Sequence, residues 1–175
     1  MTEGGVVRVA RSRNSPEQAG LDATDLEILT ELAADGRITN AALAGRVGIA
    51  ESTCIHRVRA LREAGVIAGF HAQLDLAALG LPIQALIKVR LGSHNRDEVL
   101  RFHAKLAKIP GMLTAFHVAG EDDYLLHVAV ASPEVLRDLV LEHINVHRAV
   151  RQTETQLVFN VLPGTGPLAA AQARP

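Results

Sequence analysis

The chain has 175 residues, room for one ordinary domain or two small ones, and its 48% hydrophobic and 21% charged residues are a normal globular balance. Aromatic residues make up only 3%, so the core must come from Leu, Val, Ile and Ala, and a formal charge of −1 gives no bulk sign of nucleic acid. A single cysteine, Cys54, excludes an internal disulfide and a cysteine-built zinc cage. The lack of a spanning stretch, or of a signal-peptide run in residues 1–20, predicts a soluble cytoplasmic protein with no membrane partner.

Residues 1–20 carry Gly4-Gly5, Arg8, Arg11, Arg13 and Pro16 without helical periodicity, which predicts a flexible arm. A first helix then starts cleanly. Asp22 is a good N-cap, Asp25 stands three residues on, and Leu21 can staple to Leu26. Leu26, Leu29 and Leu32 with Ala33 recur at helical spacing until Asp35-Gly36. The second helix is capped by Thr39, with Ile38 able to staple to Leu43, and ends at Val47-Gly48. After a tight turn at Gly48-Ile49, residues 51–64 predict a third helix, which Gly65 terminates; Cys54, Val58, Leu61 and Gly65 form one apolar stripe. Residues 21–69 therefore predict a helix-turn-helix unit; Val66, Ile67, Phe70, Ala72 and Leu74 predict a short extended segment leaving it, and residues 70–82 a linker strand.

Residues 83–162 alternate strand and helix signals. Ile83, Ala85, Ile87, Val89 and Leu91 alternate with their neighbours. Asn95 caps a helix carrying Val99, Phe102 and Leu106, and Ile109-Pro110-Gly111 turns the chain into a strand over residues 112–119. Gly120-Glu121-Asp122-Asp123 is a hairpin-sized loop before a strand over residues 124–130. Ser132-Pro133 opens a last helix with Leu136, Leu139, Val140, His143 and Ile144 on one face, and residues 153–161 close the sheet. This order predicts a ferredoxin-like βαββαβ domain, hence an α+β protein of two parts, and residues 163–175 predict a flexible tail. Leu86, Leu113, Ala115, Leu125 and Val158 fall opposite the helix-covered side. Two helices cover only one face, so a second copy of the sheet is the simplest cover for the other.

Burying Cys54, Val58 and Leu61 leaves Ser52, His56 and Arg59 outward, flanked by Thr53, Arg57 and Arg62. Short polar groups in the first turns suit base edges and flanking arginines suit phosphates; a merely solvated basic face has the same composition. The capped helix and tight turn ahead of it favour double-stranded DNA. Asn40, Ser52, Thr53, His56, Arg57, Arg59 and Arg62 are the candidate contacts. Residues 1–75 hold eight Arg and ten Asp or Glu, but the acids gather on the first helix and the arginines on the third.

Residues 48–61 (GIAESTCIHRVRAL) followed by residues 65–70 (GVIAGF) resemble the recognition helix and exit strand of Lrp/AsnC transcription regulators. Ile109-Pro110-Gly111-Met112, Gly120-Glu121-Asp122-Asp123-Tyr124 and Thr153-Glu154-Thr155 resemble that family's ligand-sensing domain, so the likeness runs over residues 21–161. The resemblance implies a winged helix-turn-helix, sheet-joined dimers assembling to octamers, and a small effector, commonly an amino acid, held between subunits. By position, its site is His117, Ala119, Gly120, Glu121, Asp122, Asp123, Tyr124 and Asn145. Backbone N–H groups of a Gly-led loop can hold a carboxylate and Asp122 or Asp123 an ammonium, although a plain acidic hairpin accounts for the same residues. Two departures stand out: Ala50, where the family has a capping Ser or Thr, and Ala149, where Gly is common.

No catalytic residue, cofactor or metal is expected. His143 and His147 have a chelating spacing, but no third ligand is spaced with them. Some Lrp/AsnC-like proteins are siroheme decarboxylases, and His117 or His127 would be the histidines for that alternative.

Overall fold

The computed structural model describes residues 20–92 and 96–172, so the arm over residues 1–19 and the Asn95 cap lie outside the described residues. The chain divides into two compact units, one built on residues 74–161 and the other on the preceding helices with the segment from Leu162 onward.

In the helical unit α1 is Ala23–Ala34, α2 is Asn40–Val47 and α3 is Glu51–Glu63. Asp22 and Asp25 form a reciprocal capping box at the start of α1. Thr39 caps α2, and Gly48 closes it in the left-handed conformation, φ 73°. Ala50 occupies the N-cap of α3 with no side-chain hydrogen bond, so that helix starts without the acceptor its position favours. Ile28, Leu43, Ala44, Cys54 and Leu61 are buried together, with Leu29, Leu32, Ile38, Val47 and Val58 packed around them. The third-helix stripe is as expected. On α1 the centre of the buried face is Ile28, not Leu26, because the stripe is rotated toward α2 and α3.

Two expectations fail. No strand forms in residues 70–82, where Asp75–Gly80 folds into turns instead; within one chain that segment has no ladder to join. The tail is not wholly irregular either, because Pro167–Gln172 is a short helix, α6, beside α1. Proline at the first helical position followed by Leu and Ala favours it.

The second unit holds β1 (Ile83–Leu91), α4 (Arg96–Leu106), β2 (Met112–His117), β3 (Tyr124–Val130), α5 (Pro133–Leu139) and β4 (Val150–Val158). All pairings are antiparallel in the order β2-β3-β1-β4, the ferredoxin-like arrangement. The closing strand starts and stops three residues earlier than predicted. Val140–Asn145 continues α5 as a π-helix, whose wider turn buries Ile144 with Leu136 and Leu139 while His143 is only half-buried. Ala85, Ile87, Val89, Leu126 and Val128 meet Phe102, Leu106 and Ile144 in one core.

A bulge at Leu113 shifts the phase of β2. Ala115 pairs with the buried Leu126 and so shares the helix-covered face, contrary to expectation, while Phe116 joins Leu125 and Leu86 on the other side. That uncovered face also carries Gln84, hydrogen-bonded to His127, and Lys88, paired with Glu154. Gly111 makes the close approach that β2 needs. At φ 76°, a Cβ there would lie 2.4 Å from the Ala129 carbonyl oxygen. None of the described helices is long and apolar enough to cross a membrane.

Ala50→Ser adds the missing cap and is expected to raise stability by about 1 kcal/mol, read as a higher melting temperature. Gly111→Ala is expected to lower it by about 2 kcal/mol or more, through backbone strain and the clash with Ala129.

Candidate nucleic-acid interface and effector site

With its stripe buried, α3 holds Ser52, Thr53, His56, Arg59 and Arg62 exposed, and Asn40 is exposed at the first position of α2. Arg59 donates from Nε to Glu63 at 2.8 Å, an open i,i+4 pair that a phosphate can displace at little cost. Arg57 is different. Its Nη1 donates to Asp22 at 2.8 Å and to Asp25 at 2.9 Å, and its side chain is only 31% exposed. The capping box of α1 therefore also clamps α3. Arg57, expected as a phosphate contact, is here ion-paired inside the unit and only partly exposed. The Asp25 N–H, followed by the Arg57 guanidinium, holds the Asp22 carboxyl below the ordinary aspartate range. The contribution of Asp22 to stability is thus complete above that range and is lost as pH falls through the lowered value.

Leu21 and Asp25 face Ser52, Thr53, His56, Arg57 and Ala60 across an open groove of about 650 Å³. The α1 start and the polar side of α3 thus share one surface.

The predicted effector residues separate into two sets. His117 pairs with Tyr124, Tyr124 with Val89 and Val89 with Thr153, a single row across the four strands. Thr153 donates to Asn145 at 3.1 Å, so Asn145 sits at the β4 end of this row and His117 at the β2 end. Three interstrand steps put those ends ~14 Å apart, too far for one amino acid to touch both within a chain.

At the β2 end His117 stacks on Tyr124 with ring centroids 4.6 Å apart. Tyr124 is buried, meets Phe102 edge-on at 5.4 Å, and its hydroxyl lies 3.4 Å from His103 Nδ1; burial pushes the phenol upward. Ala119, Gly120 and Glu121 are exposed, and Gly120 has φ 142° with open space where a Cβ would stand.

The loop carboxylates are already engaged. Asp123 accepts from the Leu91 N–H at 2.7 Å, and its own N–H donates to the Val89 carbonyl at 2.9 Å. That carboxylate takes up a β1 N–H just beyond the point where pairing between β1 and β3 ends, at Val89 and Tyr124. Arg90 reaches Glu121 at 2.7 Å and Asp122 at 3.6 Å, while its own Nε is buried without a partner. Of the two carboxylates expected to hold an ammonium, Asp123 gives one oxygen to the backbone and Asp122 lies 3.6 Å from Arg90. Sequence reasoning missed Arg90 and the second role of Asp22 and Asp25; both partnerships cross from one element to another and leave no local spacing to read.

His127 is held by Gln84 and His147 lies edge-on to Phe102, 5.4 Å between centroids. Among the described residues no three His, Cys, Asp or Glu side chains gather as a metal site.

Residues 21–68 match the winged helix-turn-helix DNA-binding family and residues 84–168 the Lrp/AsnC ligand binding domain. The HTH-type transcriptional regulator AldR of Mycolicibacterium smegmatis is 43% identical over 96% of this chain and 100% of its own length. The leucine-responsive regulatory protein of Rhizobium meliloti is 41% identical over 79% of this chain and 89% of its own. A transcriptional regulator from Neisseria meningitidis, solved as its L-Met complex, superposes with a TM-score of 0.81 at 31% identity over 86% of this chain and 99% of that one.

A helix-turn-helix with an exposed polar third helix on one unit and a ferredoxin-like sheet on the other define a helix-turn-helix transcription regulator with a ligand-binding domain. The chain belongs to the Lrp/AsnC family. The enzymatic alternative finds no support among these relatives, which are named as regulators.

Arg57→Ala is expected to lower the melting temperature of the helical unit. Arg59→Ala and Arg62→Ala are expected to leave it unchanged and to weaken DNA binding, each making the salt dependence shallower by about 0.9 for the phosphate it no longer neutralises. Calorimetry and anisotropy titrations at several salt concentrations separate the two effects. Asp123→Ala strands the Leu91 N–H and is expected to cost about 1–3 kcal/mol in chemical denaturation.

Proposed function

We propose that this regulator lays α3 in the major groove of duplex DNA, with Ser52, Thr53 and His56 at base edges and Asn40, Arg59 and Arg62 at the backbone. The observation that carries this reading is the division of α3 into a buried stripe and an opposite polar face standing clear of protein. Arg57 serves by holding that helix in place. The protein works in the cytoplasm, where the chromosome lies.

The effector is an amino acid held at the β2–β3 loop. The carboxylate sits on N–H groups of residues 119–122, beside the His117 ring, and the site is completed by a second subunit. The L-Met complex of the Neisseria meningitidis relative supports this class of ligand. The separation of His117 from Asn145 supports a site shared between chains, because Asn145 can join the loop only from another copy. Leu86, Phe116, Leu125 and Val158 on the uncovered sheet face support dimers, and dimers assemble further to octamers.

The test is a thermal-shift and DNA-anisotropy screen against the twenty amino acids, with light scattering for assembly. An apolar amino acid is expected to raise the melting temperature, by an amount equivalent to about 2.7 kcal/mol at a hundredfold excess over Kd, and to change DNA affinity. Gly120→Val, which forces a β-branched residue to φ 142°, is expected to remove that response. A monomer, or a response untouched by Gly120→Val, overturns the proposal.

A further inference from the structure

The helical unit is short of positive charge for a protein that must hold DNA. Residues 20–73 contain five arginines and no lysine, against seven carboxylates. Arg46 is tied to Glu31, Arg57 to Asp22 and Asp25, and Arg59 to Glu63, so only Arg37 and Arg62 have no carboxylate partner among the described residues. Affinity for duplex DNA at working salt depends on how many phosphates are neutralised.

The ferredoxin-like unit gathers free cations at one corner. On α4 Arg101 and Lys105 stand one turn apart, Lys108 follows in the turn after it, and all three are exposed. His147 joins this helix to the start of β4. Its ring lies edge-on to Phe102 at 5.4 Å, and burial, followed by the nearby Lys105 charge, holds the imidazole below the ordinary histidine range. The chain then turns tightly, the Val150 N–H donating to the His147 carbonyl at 2.9 Å, and Arg148 stands exposed in that turn. Arg151 comes next, its side chain beside Gly92, where an added Cβ would lie 3.0 Å from the Arg151 Cβ.

Arg101, Lys105, Lys108, Arg148 and Arg151 have no carboxylate partner among the described residues. The ion-paired acids of this unit lie elsewhere, Glu154 with Lys88, Glu121 and Asp122 with Arg90, and Asp138 with Arg137. Asp97 and Glu98 occupy the opposite end of α4, and Glu142 is exposed on the π-helical turn. Cations at the end of α4 complement its dipole, but that leaves Arg148 and Arg151 unexplained, and Arg101 and Lys105 repel one another at i,i+4. From Arg101 to Lys108 the helical rise covers ~10 Å, the length of about three phosphates on one DNA strand. An exposed row of charge on two elements suits an extended polyanion.

We infer that Arg101, Lys105, Lys108, Arg148 and Arg151 form a second DNA contact, a basic corner of the ferredoxin-like unit that holds the sugar–phosphate backbone of duplex DNA. The contact adds affinity without sequence preference. The inference rests on the DNA-binding reading of α3, and the experiment keeps the two apart.

The test compares the full chain with Lys105→Gln/Arg148→Gln/Arg151→Gln and with the charge-keeping Lys105→Arg/Arg148→Lys/Arg151→Lys. Each is titrated by anisotropy into a random-sequence duplex and into a fragment the protein itself selects from random DNA, at several salt concentrations. The glutamine variant is expected to bind both duplexes about tenfold or more weakly at low salt, with a salt slope shallower by about 0.9 for each cation removed, and to keep its melting temperature and its assembly in light scattering. The charge-keeping variant is expected to retain the wild-type slope, because charge is what the backbone senses. Unchanged affinity and slope in the glutamine variant overturn the inference while leaving the reading of α3 intact. Failure of the wild-type chain to bind either duplex overturns both. A loss confined to the selected fragment, or a change of assembly or melting temperature with the slope unchanged, also overturns it, by assigning the corner to base reading, to contact with a second copy or to packing.

Discussion

The polar face that α3 presents is set by the rotation of that helix about its own axis. Cys54 and Leu61 are almost wholly buried and Val58 is packed against the same cluster, so the helix cannot turn without exposing that stripe. Burial of this kind stabilises by ~25 cal/mol per Å² of apolar surface, and it fixes which residues look outward as firmly as it fixes the fold. The clamp from Arg57 to Asp22 and Asp25 ties the same helix to the α1 start. Packing sets the rotation, and the ion pairs add a second tie to α1. The polar face is what both leave over.

The ligand domain uses a comparable economy. The loop between β2 and β3 is acidic, but its acids mainly build the loop: Asp123 takes up the Leu91 N–H, and Glu121 and Asp122 anchor to Arg90. The Gly120 turn has open space beside it, and the His117 ring stacks on Tyr124. Because His117 and Asn145 end opposite sides of one row of the sheet, a site that needs both is a site between subunits. Sensing and assembly would then be linked through the same contacts, as an effector that alters either one requires.

Much of this was readable from periodicity and punctuation. Asp22, Thr39, Gly48 and Gly65 mark helix ends through chemistry acting within a few residues, and the alternation of Ile83 to Leu91 declares a strand with one buried face. What could not be read depends on distant partners. The stripe of α1 centres on Ile28 because α2 and α3 lie on that side, and β2 changes phase at Leu113 because a bulge inserts one residue that no local signal announces. The Arg57 clamp likewise joins residues 35 positions apart, and the π-helical turn at Val140–Asn145 interrupts a pattern that looked regular.

The most direct measurement of the central claim is the sequence preference of the Ser52→Ala/His56→Ala double variant, obtained by selecting binding sites from random DNA beside the wild type. If α3 reads bases with these side chains, the variant keeps its melting temperature and its salt slope but selects a degenerate site at the corresponding positions. Recovery of the same site with the same stringency would contradict the account and place base recognition elsewhere in the chain.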